Sequence, residues 1–233
     1  MDAIIQAFHE QTPNASVVKE RIAFGTSGHR GRATERTFNA AHIIAITQAV
    51  VDYRKEENYQ GPLFLGLDTH ALSRPAWECA LRVLVANRVP VLVEKGHGYT
   101  ATPLVSQAII HYNTQHPLGD PAAKADGLII TPSHNPPRDG GIKYNPPSGG
   151  PAGGEATSAI AARANQLIEG GLTEVRRVPF AQAHAAAGRF DYLAAYIDDL
   201  PSVLDLDIIR DAGVRIGADP LGGAAVAYWG EIA

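Results

Sequence analysis

The chain has 233 residues, with 20 Lys and Arg against 24 Asp and Glu, for a formal net charge of −4. The clustered basic excess that neutralises a phosphate backbone is missing, so no nucleic-acid partner is expected. Hydrophobic residues at 45%, charged residues at 19% and a single cysteine, Cys79, describe a chain that buries a core, forms no internal disulfide or cysteine-based zinc site, and suits a reducing cytosol.

In chain order, Met1-Asp2-Ala3-Ile4-Ile5-Gln6 lacks the basic start and long apolar run of a secretory signal, and no uncharged apolar stretch reaches the roughly 20 residues of a bilayer span. A cytoplasmic protein without membrane contact is expected. Thr37 is positioned to cap a helix over 38–56, with Phe38, Ala41, Ile44, Val50 and Val51 at helical spacing and a solvated end at Arg54-Lys55-Glu56-Glu57. Leu63–Leu67 reads as a buried strand closed by Asp68. Ser73 caps a second helix whose core face carries Trp77, Leu81 and Leu84, with Pro75 tolerated in its first turn. A strand at 89–94, a helix at 103–112 and a strand at 127–130 follow. Strands alternating with helices imply crossover connections and a mixed, mostly parallel α/β sheet with helices on both faces. Residues 131–154 read as a long Gly/Pro-rich loop, too long for a plain connector. Helices at 155–169 and 191–204 complete a first domain, 1–204. A strand at 214–219 and a helix at 224–228 read as the first elements of a second, incomplete α/β domain, 205–233.

The chemistry gathers in two stretches. The strand at 127–130 runs into Thr131-Pro132-Ser133-His134-Asn135-Pro136-Pro137, with Lys143 further on, and ligands bind at the carboxyl ends of strands in open parallel sheets. Pro132 and Pro136 restrict the backbone around Ser133. Adjacent side chains diverge, which disfavours a Ser133–His134 hydrolase dyad, and the spacing is not that of a nucleophile elbow. An Asn-Pro-Pro turn with incidental hydroxyls accounts for the residue types equally well. The second stretch, Phe24-Gly25-Thr26-Ser27-Gly28-His29-Arg30-Gly31-Arg32, offers free backbone, two hydroxyls and guanidiniums that suit a phosphate, without Walker or dinucleotide spacing. By itself it is an ordinary Gly-rich turn. Asp68-Thr69-His70 stands at a strand's carboxyl end but reads first as an Asx-turn leading into the Ser73 cap. His29, His70 and His97 show no metal-ligand spacing and read as loop or surface histidines. Trp77 reads as core.

Together, Phe24–Gly31, Tyr99–Pro103, Thr131–Lys143 with its extension to Ala152, and Arg215–Trp229 resemble the signatures of the α-D-phosphohexomutases, closest among them to the bacterial phosphoglucomutases. The resemblance spans essentially the whole chain. It implies that Ser133 carries the phosphoryl group and contributes an oxygen to Mg²⁺, that Lys143 is the general base or acid, and that Arg30 and His134 stand beside the phosphoserine. It also implies phosphate contacts from Thr26, Ser27 and Gly28, a hexose phosphate substrate, and glucose 1,6-bisphosphate as intermediate and activator. The implied reaction interconverts glucose 1-phosphate and glucose 6-phosphate. A mutase for mannose or N-acetylglucosamine phosphate and a noncatalytic phosphate-binding domain are the alternatives. The family's Asp-x-Asp-x-Asp metal loop, sugar-specificity loop and distal phosphate loop are not in this sequence, so the chain alone is expected to be inactive.

Overall fold

Asn39, rather than Thr37, starts the first long helix. His42 accepts the Asn39 N–H at 3.1 Å, while the Asn39 side-chain amide donates to the Ala7 and Ala33 carbonyls and ties the helix start to the preceding chain. Thr37 instead accepts the Arg32 N–H on its hydroxyl and serves the turn before the helix. The computed structural model describes residues 2–25, 28–96, 98–116 and 123–233. They form helix α1 (Asp2–Glu10), strand β1 (His29–Arg32), α2 (Ala40–Glu56), β2 (Leu63–Leu67), α3 (Ser73–Ala86), β3 (Val91–Glu94), α4 (Thr102–Gln115) and β4 (Asp126–Ile130). There follow β5 (Asp139–Asn145), α5 (Gly154–Glu169), α6 (Phe180–Ala186), β6 (Gly188–Phe190), α7 (Tyr192–Asp199), α8 (Leu206–Asp211) and α9 (Trp229–Ile232). No helix among the described residues is long and apolar enough to cross a membrane.

The strands make one mixed sheet in the order β1-β5-β4-β2-β3-β6. The β4–β2, β2–β3 and β3–β6 pairs are parallel; β1–β5 and β5–β4 are antiparallel. Alternate residues of β2 and β4 enter opposite cores, as the two-residue repeat of a strand requires. Leu63, Leu65 and Leu67 pack with α2, α3 and α5 on one face, while Phe64 joins α4, Ile129 and Tyr192 on the other. Ser73 begins α3 without capping it: Leu72 holds the cap position, and the Ser73 hydroxyl donates to Asp68.

Five expectations fail, the first two for reasons of tertiary contact. The long loop at 131–154 contains β5, whose Gly140-Gly141 pair gives no strand signal. A Cβ on Gly141 would stand 2.3 Å from the Thr131 carbonyl oxygen, so a close neighbour requires glycine there. Arg54 is not solvated; it is 3% exposed, pairs with Asp126 at the start of β4 and donates to the Gly61 carbonyl, while the Tyr144 hydroxyl satisfies the other Asp126 oxygen at 2.8 Å. Past residue 199 the helical expectation breaks at Pro201, within a 3-10 turn at Leu200–Ser202. Residues 214–219 join no strand ladder among the described residues, and 224–228 form turns leading into α9. The segment 205–233 is mostly exposed and docks through Tyr228, which is buried against the α4 core and donates to the Tyr99 carbonyl at 2.8 Å.

Candidate active site

The parallel strands β2, β3 and β4 all end at one edge of the sheet, and the Ser133 loop leaves β4 there. Ser133 is exposed and holds φ at 66°, left-handed backbone that costs a non-glycine residue about 1–2 kcal/mol. Its N–H donates to the Thr131 hydroxyl oxygen at 2.8 Å. Its own hydroxyl lies 3.5 Å from His134 Nδ1, the outer limit of a hydrogen bond, so the two side chains do not form a tight dyad. Beyond them Asn135 donates to Asp139 at 3.0 Å, and the Arg32 guanidinium meets the other Asp139 oxygen at 2.9 Å. Burial pushes the Asp139 carboxyl up, but the hydrogen bonds from Arg32 and Asn135 outweigh it and hold the group below the ordinary carboxylate range.

Sheet register brings the cations together. Arg30 on β1 lies opposite Gly141 on β5, and Lys143 is two residues further along the same strand. Directly paired residues share a face, as do residues two apart, so Arg30 and Lys143 stand on one side of the sheet. Burial, reinforced by the Arg30 charge, lowers the Lys143 ammonium from its usual value, with Asp68 opposing. Those are the conditions under which a lysine exchanges a proton nearer neutrality. Gly28, at the entrance to β1, has φ of +120°, and a Cβ there would come within 2.2 Å of the Ile142 carbonyl oxygen. Gly25 and Gly28 bridge through a 3.0 Å backbone bond. Thr26, Ser27 and His97 lie outside the described residues.

The residues that sequence reading undervalued sit at the end of β2. Asp68, 8% exposed, accepts from the His70 N–H and the Ser73 hydroxyl on one oxygen, and from the Thr131 hydroxyl and His70 Nδ1 on the other. His70 Nε2 reaches the Asn135 carbonyl at 2.9 Å. The Asx-turn is present, yet the same carboxylate also touches the serine loop. The signal was there in the position of Asp68 at the carboxyl end of a strand and of Thr131 two residues before Ser133. His29 is likewise no surface residue: it is buried, bonded to the Thr37 carbonyl at 2.9 Å and stacked on His42 with ring centres 5.3 Å apart.

A magnesium site asks for one or two carboxylates beside phosphate oxygens. Among the described residues no group of three or more His, Cys, Asp or Glu side chains is placed to hold a metal. The two carboxylates bonded around this loop, Asp68 and Asp139, are engaged by protein donors. Ser133 offers one oxygen, and the residues present do not make a Mg²⁺ site by themselves.

A helix-covered mixed sheet with chemistry-bearing loops at one strand edge defines an α/β/α domain of the ligand-binding kind. The family model described as phosphoglucomutase/phosphomannomutase, alpha/beta/alpha domain I, matches residues 21–170, and the chain belongs to that family. A phosphoglucomutase from Komagataeibacter xylinus is 49% identical over the whole of this chain, which covers 41% of that protein. A phosphoglucosamine mutase from Deinococcus radiodurans is 36% identical over 56% of this chain and 27% of its own length. Among solved structures, the exocytosis-sensitive phosphoprotein pp63/parafusin, a phosphoglucomutase from Paramecium, shares the fold with a TM-score of 0.72 at 22% identity, covering 95% of this chain and 42% of that one. The chain thus spans less than half the length of these relatives.

Proposed function

We propose that this chain is the phosphoryl-carrying part of an enzyme that interconverts glucose 1-phosphate and glucose 6-phosphate, with residues 1–204 as its serine domain and 205–233 as the start of the next. The observation that supports this reading is the placement of Ser133, held in left-handed backbone at the carboxyl edge of β4, in a sheet that carries Arg30 and Lys143 on one face. Phosphorylated Ser133 gives its phosphoryl group to the 6-hydroxyl of glucose 1-phosphate: the serine Oγ–P bond breaks, a sugar O–P bond forms, and Lys143 takes the hydroxyl proton. The resulting glucose 1,6-bisphosphate turns over and returns its 1-phosphoryl group to Ser133: the C1 O–P bond breaks, the Ser133 Oγ–P bond re-forms, and Lys143 gives its proton to the C1 oxygen, leaving glucose 6-phosphate and the phosphoserine restored. Arg30, His134, Gly28 and the neighbouring Thr26 and Ser27 hold the phosphoryl oxygens, since positioning and charge neutralisation are most of what such transfer requires.

When bound, Mg²⁺ supplies Lewis-acid neutralisation of phosphoryl charge. Its carboxylate ligands, by the family resemblance, come from sequence beyond this chain, with Ser133 giving one oxygen. The substrate reading follows the 49% identical phosphoglucomutase, and a buried, unpaired Cys79 is consistent with the cytoplasm. Incubation of the complete protein with glucose 1,6-bisphosphate and peptide mass spectrometry tests the proposal. One phosphate on Ser133, with mutase activity lost in Ser133→Ala, is expected. Phosphate elsewhere with full activity in Ser133→Ala overturns the assignment. Faster turnover of glucosamine, N-acetylglucosamine or mannose phosphates overturns the choice of glucose, and the absence of all turnover favours a noncatalytic phosphate-binding role.

A further inference from the structure

We propose that Asp68, through Thr131 and His70, is the positioning residue that holds Ser133 in its phosphoryl-accepting pose. The inference rests on the phosphoserine reading above. A hydroxyl has one proton to give, and Thr131 gives it to Asp68 at 2.5 Å. That choice turns the oxygen lone pairs of Thr131 toward the Ser133 N–H, which they accept at 2.8 Å. The other arm of the same carboxylate holds Nδ1 of His70 at 3.0 Å, which aims Nε2 at the Asn135 carbonyl, 2.9 Å away; both ring nitrogens face acceptors, so the two bonds form together on the ring that carries both protons.

One buried carboxylate just past the end of the neighbouring strand β2 therefore ties down both residues flanking His134. The Ser133 N–H and the Asn135 carbonyl are pinned, and the serine between these pins keeps a φ of 66°. Left-handed backbone at a serine persists only where its surroundings over-determine it. The Ser73 hydroxyl and the His70 N–H occupy the remaining oxygen of Asp68, so the carboxylate cannot rotate away without losing four donors. Each of these groups is engaged with a partner within the protein in this arrangement. Their effect on catalysis passes through the placement of the Ser133 oxygen, and a misplacement of about 1 Å costs on the order of 100-fold in rate.

The test compares Thr131→Val, Thr131→Ser and His70→Phe in the complete protein. Thr131→Val is expected to lower kcat about 10- to 100-fold with KM for glucose 1-phosphate little changed. It is also expected to slow phosphorylation of Ser133 by glucose 1,6-bisphosphate and to speed hydrogen exchange at the Ser133 amide. Thr131→Ser keeps the hydroxyl and restores most of the loss. His70→Phe, which leaves the Thr131 arm intact, is expected to give a smaller fall in kcat, and it carries the same comparison if Thr131→Val does not fold. A lower melting temperature with unchanged kcat makes the network merely structural and overturns the proposal, as does unchanged exchange at Ser133 in Thr131→Val. If the unsubstituted protein turns over no glucose phosphate and takes no phosphate on Ser133, the functional reading falls, and the exchange measurement alone decides whether the pin exists.

Discussion

At the scale of single residues, Lys143 and the His29–His42 pair show burial favouring the neutral form, with consequences for activity in one case and for stability in the other. Lys143 is half-buried beside Arg30, and both effects favour its neutral form. As a base it works deprotonated, so activity rises with pH through its titration. Arg30→Gln removes a neighbouring cation, raises the Lys143 pKa, and should move that limb of the kcat/KM profile to higher pH as well as lowering its plateau. Asp68→Asn removes the opposing charge and should move the limb the other way. A pH profile measured on each variant checks both signs, and an unmoved limb in both would remove Lys143 from proton transfer. His42 is buried and lowered to about 4, chiefly by desolvation and then by the neighbouring His29, which is itself lowered by burial. Its unfolded value is near 6.5, so between about pH 4 and 6.5 the unfolded chain binds more protons than the native one. Stability should be full above pH 6.5 and fall as the pH drops toward 4, by on the order of 3 kcal/mol from His42 alone. Denaturant melts at pH 7.5 and 5.0 read this directly, with a flatter dependence expected in His42→Gln.

At the scale of elements, β5 and the Arg54–Asp126 pair show what the sheet demands. Gly141→Ala places a methyl group against the Thr131 carbonyl at the root of the serine loop, where both strands are fixed by their ladders. The variant should destabilise the fold by several kcal/mol, of the order of overpacking plus backbone displacement, and should lose activity before it loses the sheet. Circular dichroism alongside a phosphorylation assay separates these effects. Arg54→Ala leaves Asp126 charged and buried at the start of β4. Breaking such a pair typically costs about 3–5 kcal/mol, so the melting temperature should fall more than for truncation of exposed Lys55. Equal melting temperatures would show that Asp126 finds water or protonates at little cost.

At the scale of the whole molecule, the first 204 residues hold two cores and every strand, whereas the last 29 touch that body mainly through Tyr228. Apolar side chains in this final stretch, Ile208, Val214, Ile216, Leu221 and Trp229 among them, remain exposed. Tyr228→Ala should release residues 205–233 to protease while the cooperative melt of the remainder persists. Resistance equal to that of the unsubstituted chain would place the docking elsewhere. The chain by itself should melt cooperatively and show no mutase turnover, because it spans less than half of its relatives, its described residues make no complete metal shell, and the sugar-binding loops that the resemblance implies are not in its sequence. A coupled glucose 6-phosphate assay on the isolated chain checks this, and steady turnover would refute it.

Local signals were enough to read α2, α3, β2 and β4 in the sequence, because each repeats its apolar residues at the period of its own geometry: Leu63–Leu67 is a buried run and Trp77, Leu81 and Leu84 recur at helical spacing. The Ser133 loop was legible as a candidate site because the end of a strand and two prolines mark it. Strands β1 and β5 were not legible. His29–Arg32 and Asp139–Asn145 carry glycine and charge where strands usually carry β-branched residues, and they are strands because each completes the ladder of a neighbour far away in sequence. Pairings of that kind also decided the rest: they set Arg30 beside Lys143, turned Arg54 inward to Asp126, and carried Asp68 from an ordinary Asx-turn to the serine loop. A residue's type and its neighbours in sequence determine its preferred backbone and which face it turns to a core. Which distant carboxylate, cation or carbonyl it meets is fixed only when the sheet brings the strands into register.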